Sequence, residues 1–157
     1  MKDETQATHL AKMMQKHKLY PEYELALPFM KVKKSALKKL SKEDILLVGF
    51  DHLEMILLSE GEICADVIMD EAENSRKIKI IDTAKRPIYT NNSKKYDIVK
   101  CSFGLLQSRK LEAGHKIDAA PLNLQKVTLA IDDKNIAKGS LAVVDDEIAI
   151  KIDKVMR

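Results

Sequence analysis

Apolar positions along the last third of the chain fall into short alternating runs. Val127, Leu129 and Ile131 alternate with smaller or polar neighbours, as do Ile148, Ile150 and Ile152, and this period of two predicts half-buried β-strands. The same ordered series occurs earlier. Leu40-Ser-Lys-Glu-Asp-Ile-Leu46 precedes apolar runs at 54–58, 63–66 and 78–81, just as Leu111-Glu-Ala-Gly-His-Lys-Ile117 precedes runs at 127–131, 136–139 and 148–152. The offset between the copies stays near 71 to 73 residues, so the chain reads as a tandem β repeat.

This pattern predicts strands at 44–50, 53–58, 62–69 and 76–81 in the first copy. In the second it predicts 96–101, 115–119, 123–131, 135–144 and 147–155. Ser59-Glu-Gly61, Asp132-Asp-Lys-Asn135 and Asp145-Asp146 supply turns. Upstream, Leu25, Leu27 and Phe29 alternate as a further strand, which Pro28 would confine to a sheet edge. The basic stretch 31–40 reads as a short helix or turn, and 103–111 as a short helical or irregular lead-in. Residues 5–19 place Leu10, Met13, Met14 and Leu19 among Lys12, Lys16, His17 and Lys18. That spacing predicts an amphipathic helix with a basic face, stopped at Tyr20-Pro21, which either covers one end of the β core or docks a partner. The organisation is therefore an N-terminal helix (1–20), a first module (21–82), a linker rich in turn formers (83–95) and a second module (96–157).

With 157 residues the chain holds one domain, or two small modules sharing a core. Apolar residues make up 45%, but there are only three Phe, four Tyr and no Trp, so the core must be built from Ile, Leu, Val, Ala and Met. A net charge of +3 is too mild for a face that binds duplex nucleic acid. Cys64 and Cys101 lack CxxC spacing and read as free buried thiols in a reducing compartment. No signal core opens the chain, and no apolar run is long enough for a bilayer. The expectation is a soluble cytoplasmic protein without membrane insertion.

Candidate chemistry is sparse. His9, His17, His52 and His115 are scattered, with no Cys or carboxylate at metal-ligand spacing. No nucleophile lies in a G-x-S-x-G context, and the five glycines stand singly. No cofactor, metal or catalytic residue is expected. The lysines of 31–42 read as a solvated face, with an acidic partner groove as the alternative.

The Leu-x-x-Gly-x-x-Ile element, the hairpin, the Ile-Ala-x-Gly-x-Leu-x-x-x-Asp-Asp element and the closing Ile-x-Ile-x-Ile strand resemble the SpoA module. That module forms the C-terminal domains of the flagellar motor switch proteins FliM and FliN and of their type III secretion counterparts. The second copy carries the resemblance over 104–155, through Gly114, Ile117, Val127, Leu129, Ile136, Gly139, Leu141, Asp145, Asp146, Ile150 and Ile152. The first carries it more loosely over 37–81. There Glu43 stands where the module has Gly, Asp44 and Leu46 keep the following pattern, and Asp66 takes the place of Gly139. Ala149 and Lys151 flank Ile150 where the module has an Arg.

The resemblance implies a mainly β fold in which two tandem modules form an intertwined, β-barrel-like pseudo-dimer. Family members form dimers in which strands from two copies complete one β structure. It implies a non-enzymatic component of the flagellar C-ring or of a secretion sorting platform, cytoplasmic at the inner-membrane face of the basal body. The partners implied are FliM- or FliN-like subunits, the export regulator FliH, and further copies of the chain. The fold and interface core expected is Leu111, Gly114, Ile117, Val127, Leu129, Ile131, Ile136, Gly139, Leu141, Val143, Ile150 and Ile152. Two alternatives stand beside it. Glu71-Ala-Glu-Asn74 has the Glu-x-x-Asn spacing of chemotaxis response-regulator phosphatases, although Val67 occupies their upstream acidic or hydroxyl position. The other is an unrelated β adaptor domain.

Overall fold

The computed structural model describes residues 20–48, 53–70, 76–88, 94–120 and 122–156. The alternating runs become antiparallel strands: β1 (Glu22–Ala26), β2 (Met30–Lys33), β3 (Ile45–Leu47), β4 (Glu54–Ser59), β5 (Glu62–Met69), β6 (Lys77–Asp82), β7 (Arg86–Pro87), β8 (Tyr96–Gln107), β9 (Lys116–Asp118), β10 (Lys126–Ile131), β11 (Lys134–Val144) and β12 (Glu147–Val155). A single short helix among the described residues, α1 (Lys34–Lys38), follows β2. Three hairpins close on Glu60-Gly61, Asp132-Asp133 and Asp145-Asp146, with positive φ at both residues of each pair. That geometry matches the twist of the flanking strands.

The hydrogen-bonded order is β3-β12-β11-β10-β8-β1-β4-β5-β6-β9, with β2 on β8 and β7 on β5 beside this path. Exchange each strand of one copy for its counterpart in the other, and the order reads the same from either end. The register repeats as closely. Met55 faces Val67 and Leu57 faces Ala65; 72 positions later Val127 faces Gly139 and Leu129 faces Ala137. Even the bulge recurs, between Leu57 and Leu58 and between Leu129 and Ala130. Because a one-residue slip would exchange the two faces of a strand, this shared register turns matching side chains of both copies to the same side.

The copies interlock. β3 of the first pairs with β12 of the second, and β9 of the second pairs with β6 of the first. At the centre β1 lies on β8, where Ala26 faces Ser102. Among the described residues the expected barrel-like closure is absent: β3 and β9 are the two ends of the pairing, and the sheet stays open. Each is three residues long and, among the described residues, pairs with one strand.

One apolar cluster draws on both copies, with Leu25, Leu57, Ile78 and Ile80 from the first and Cys101, Leu129, Ile150 and Ile152 from the second. Units of about 60 residues are marginal when each must close its own core, and here the two copies share one. A smaller cluster lies on the opposite face of the first copy: Ala26, Ile56, Leu58 and Ile63, with Phe29 and Ile88 packed against it. By register, Ile56, Leu58 and Ile63 correspond to Thr128, Ala130 and Asn135. Among the described residues only the first copy carries this second layer.

Several expectations need correction. The strand through Leu25 is central, between β8 and β4, because it ends at Ala26 and leaves Pro28 in irregular chain where a missing N–H costs no ladder bond. Residues 103–107 continue β8 instead of forming a helix, since pairing with β1 from Glu22 to Leu25 holds them extended. Val67, not Asp66, is the counterpart of Gly139. The linker contains β7, an edge piece on β5 beside which Arg86 Nη2 lies 2.6 Å from Asp66 Oδ1. The N-terminal helix expected at 1–20 lies outside the described residues, save Tyr20, which is in a bend.

Glu43 does stand in the glycine's place. Its N–H donates to the Ile152 carbonyl at 2.7 Å, as the Gly114 N–H donates to the Ile80 carbonyl at 2.7 Å. Both backbones are left-handed, with φ of 80° and 90°. Glycine adopts this freely, whereas an L side chain there costs about 1–2 kcal/mol. The exposed ion pair with Lys151, 3.2 Å long, offsets little of that. Glu43→Gly is therefore expected to raise stability by about 0.5–1 kcal/mol and the melting temperature by a few degrees. A lower melting temperature would contradict the strain.

Candidate binding surfaces

At the centre of the sheet, Glu24 on β1 and Lys100 on β8 meet, with 2.8 Å between Oε1 and Nζ, and their side chains are 25% and 20% exposed. The two positions are equivalent. Glu24 faces Leu58 across β4, and Lys100 faces Ala130, the counterpart of Leu58, across β10. The side chains of a position and its own counterpart therefore meet diagonally beside the Ala26–Ser102 pair, where the local two-fold relation lies, while in the ladder Glu24 faces Leu105. Identical copies would bring like charges together there, and divergence to Glu and Lys makes an ion pair. In a double-mutant cycle, Glu24→Lys and Lys100→Glu are each expected to cost about 1–2 kcal/mol, with much of the loss recovered in the double exchange. Simple additivity in thermal melts would rule this pairing out.

Around this pair runs a groove of about 760 Å³, bounded by the hairpin tips at 59–61 and 132–133. Phe29, Leu58, Ile88, Ile98 and Leu105 supply an apolar floor. Glu22, Glu24, Glu60, Asp132 and Asp133 supply five carboxylates, and Lys100 is the one cation among the described lining residues. Lys100 also lies 4.0 Å from Asp133. The groove is thus an anionic, partly apolar channel between the two copies. Composition and spacing gave no hint of it, because β1 is not an obvious counterpart of β8: their offset is 76 residues, not 72. The matching runs Leu25-Ala-Leu27 and Cys101-Ser-Phe103 were the available signal.

A second candidate surface is the β3 end of the sheet. Ile45 and Leu47 are 50% and 61% exposed. Their counterparts on β9 are Lys116 and Asp118, so the first copy shows apolar side chains where the second shows charge.

Most of the expected core residues come together. Val127, Leu129, Ile150, Ile152 and Ile117 are buried in the main cluster, and Leu111, Ile131, Ile136 and Leu141 pack against it. Gly139 allows β11 to approach β12, since an added Cβ would lie 2.5 Å from Ile150 Cγ2. Gly114 sits in a surface turn. Val143 is the exception: it is 73% exposed, because β11 and β12 run past the core layer before turning at Asp145-Asp146.

Reactive chemistry is muted. Burial pushes the Cys101 thiol up from its ordinary 9.0 to about 12, and burial likewise raises Cys64 and Tyr23. The Ser140 hydroxyl, donating to Asp153, together with the Lys126 ammonium 3.4 Å away, holds the Asp153 carboxyl below its usual range. For Cys101 the folded state favours the neutral thiol, so its contribution is whole below pH 9 and is lost as pH rises from 9 towards 12. At most about 4 kcal/mol is involved. Alkaline unfolding followed by circular dichroism should fall in that window and be weaker in Cys101→Ala. An identical pH profile in that variant would exclude the thiol as its cause.

Among the described residues no group of three or more His, Cys, Asp or Glu side chains could hold a metal ion, and no helix is long and apolar enough to cross a membrane. Glu71 and Asn74, and His9, His17 and His52, lie outside the described residues. No family profile matches this chain, and no curated protein matches it either.

Proposed function

We propose that this chain is a non-enzymatic assembly component of a flagellar motor switch or a type III secretion sorting platform, built as a pseudo-dimer of two SpoA-like modules. The observation that supports this reading is the interlock. Each copy's short strand completes the other copy's sheet, β3 on β12 and β9 on β6, which is the arrangement the resemblance implies for paired modules. Its work is binding. The partners are FliM- or FliN-like subunits and the export regulator FliH, at the cytoplasmic face of the inner membrane. The two halves have diverged for different roles: the second keeps the module's glycines, and the first carries an extra apolar layer and the exposed Ile45 and Leu47.

Light scattering on the purified chain, alone and mixed with FliM- and FliN-like subunits, tests this. A defined larger assembly with one of them is expected. Failure to assemble with either would overturn the proposal. So would accelerated dephosphorylation of a response regulator that is lost in Asn74→Ala, which would favour the phosphatase alternative.

A further inference from the structure

We infer that the anionic groove between the two copies is the seat of this chain's own residues 10–19. This is independent of the assembly role proposed above. Three observations converge on it.

The first is charge. The segment Leu-Ala-Lys-Met-Met-Gln-Lys-His-Lys-Leu has three lysines and no carboxylate, whereas the groove presents five carboxylates against one ammonium. The second is apolar matching. Leu10, Met13 and Met14 share one helical face at i, i+3, i+4 spacing, with the lysines beside it. The groove floor is apolar and includes Leu105, which is 54% exposed. The third is the tether. The described chain begins at Tyr20, and Glu22, two residues on, already lines the groove. Pro21 is fixed there by the Ser108 N–H, which donates to its carbonyl at 3.1 Å. Ten helical residues span about 15 Å. A segment held so close to its site binds at high effective concentration. A helix of this length is marginal alone, so its docking face decides whether it forms.

The chain has no Trp, so Met13→Trp in the full-length protein gives a single emission reporter. Blue-shifted emission, shielded from a soluble quencher and independent of protein concentration, is expected. Adding Glu60→Gln, Asp132→Asn and Asp133→Asn removes three charges, and Asn suits the left-handed turn positions. Loss of about three exposed ion pairs should lower the docking equilibrium about tenfold and shift the emission to the red. Leu105→Glu, at an exposed site, should do the same by a separate route. Far-UV circular dichroism checks that each variant keeps the β fold. Water-like emission in the reporter protein would overturn the inference. So would blue emission that neither groove variant changes, or emission that depends on concentration and so reports a second chain's segment.

Discussion

Leu129→Asp is expected to abolish the fold. Leu129 is fully buried on β10, facing Ala137 on β11 and Cys101 on β8. Truncating a buried leucine costs about 2–5 kcal/mol. The residues that face it, Ala137 and Cys101, offer a carboxylate no cation, and an unpaired buried charge adds several kcal/mol more. Domains are stable by only about 5–15 kcal/mol, so the combined loss removes most or all of the margin. Leu57, its counterpart in the first copy, is equally buried, and Leu57→Asp should behave alike. Thr128→Asp, one residue away on the half-buried opposite face, should cost no more than about 1 kcal/mol. Circular dichroism and gel filtration distinguish these cases. Retained β signal and unchanged elution in Leu129→Asp would refute the placement of this core.

Gly139→Val is expected to cost about 3 kcal/mol, which for a chain of this size lowers the melting temperature by about 6–12 °C. An added Cβ would lie 2.5 Å from Ile150 Cγ2 and 2.9 Å from the Lys151 carbonyl oxygen. The second contact is backbone and cannot be relieved by a rotamer change. The first copy makes the effect specific, because its counterpart position holds Val67, buried at 1% exposure. The same place in the two copies thus has two packing solutions, a close approach around Gly139 and a filled layer around Val67. A melting temperature unchanged in Gly139→Val would mean that β11 can move away from β12 without loss.

The repeat was legible because alternation marks which residues share a face. The offset estimated between 71 and 73 resolves to 72 through the hairpins and 71 between β3 and β9. Alternation does not say which strand lies beside which, so neither the open sheet nor the central position of β1 followed from it. The same limit explains Val143. Its alternation with Leu141 assigns the correct face, but only the length of the β11–β12 hairpin places it beyond the core. Glu24 and Lys100 were unreadable for a related reason. They are 76 residues apart, and nothing local marks two opposite charges as partners.

The interlock also sets the order in which the chain can be completed during synthesis. β3 is made early, yet its one strand partner among the described residues is β12, about 100 residues later. At ribosomal rates of about 5–20 residues per second, that strand waits roughly 5–20 s before its neighbour exists. The first half therefore emerges with Ile45 and Leu47 on an edge that stays without this partner until residues 147–155 have been made.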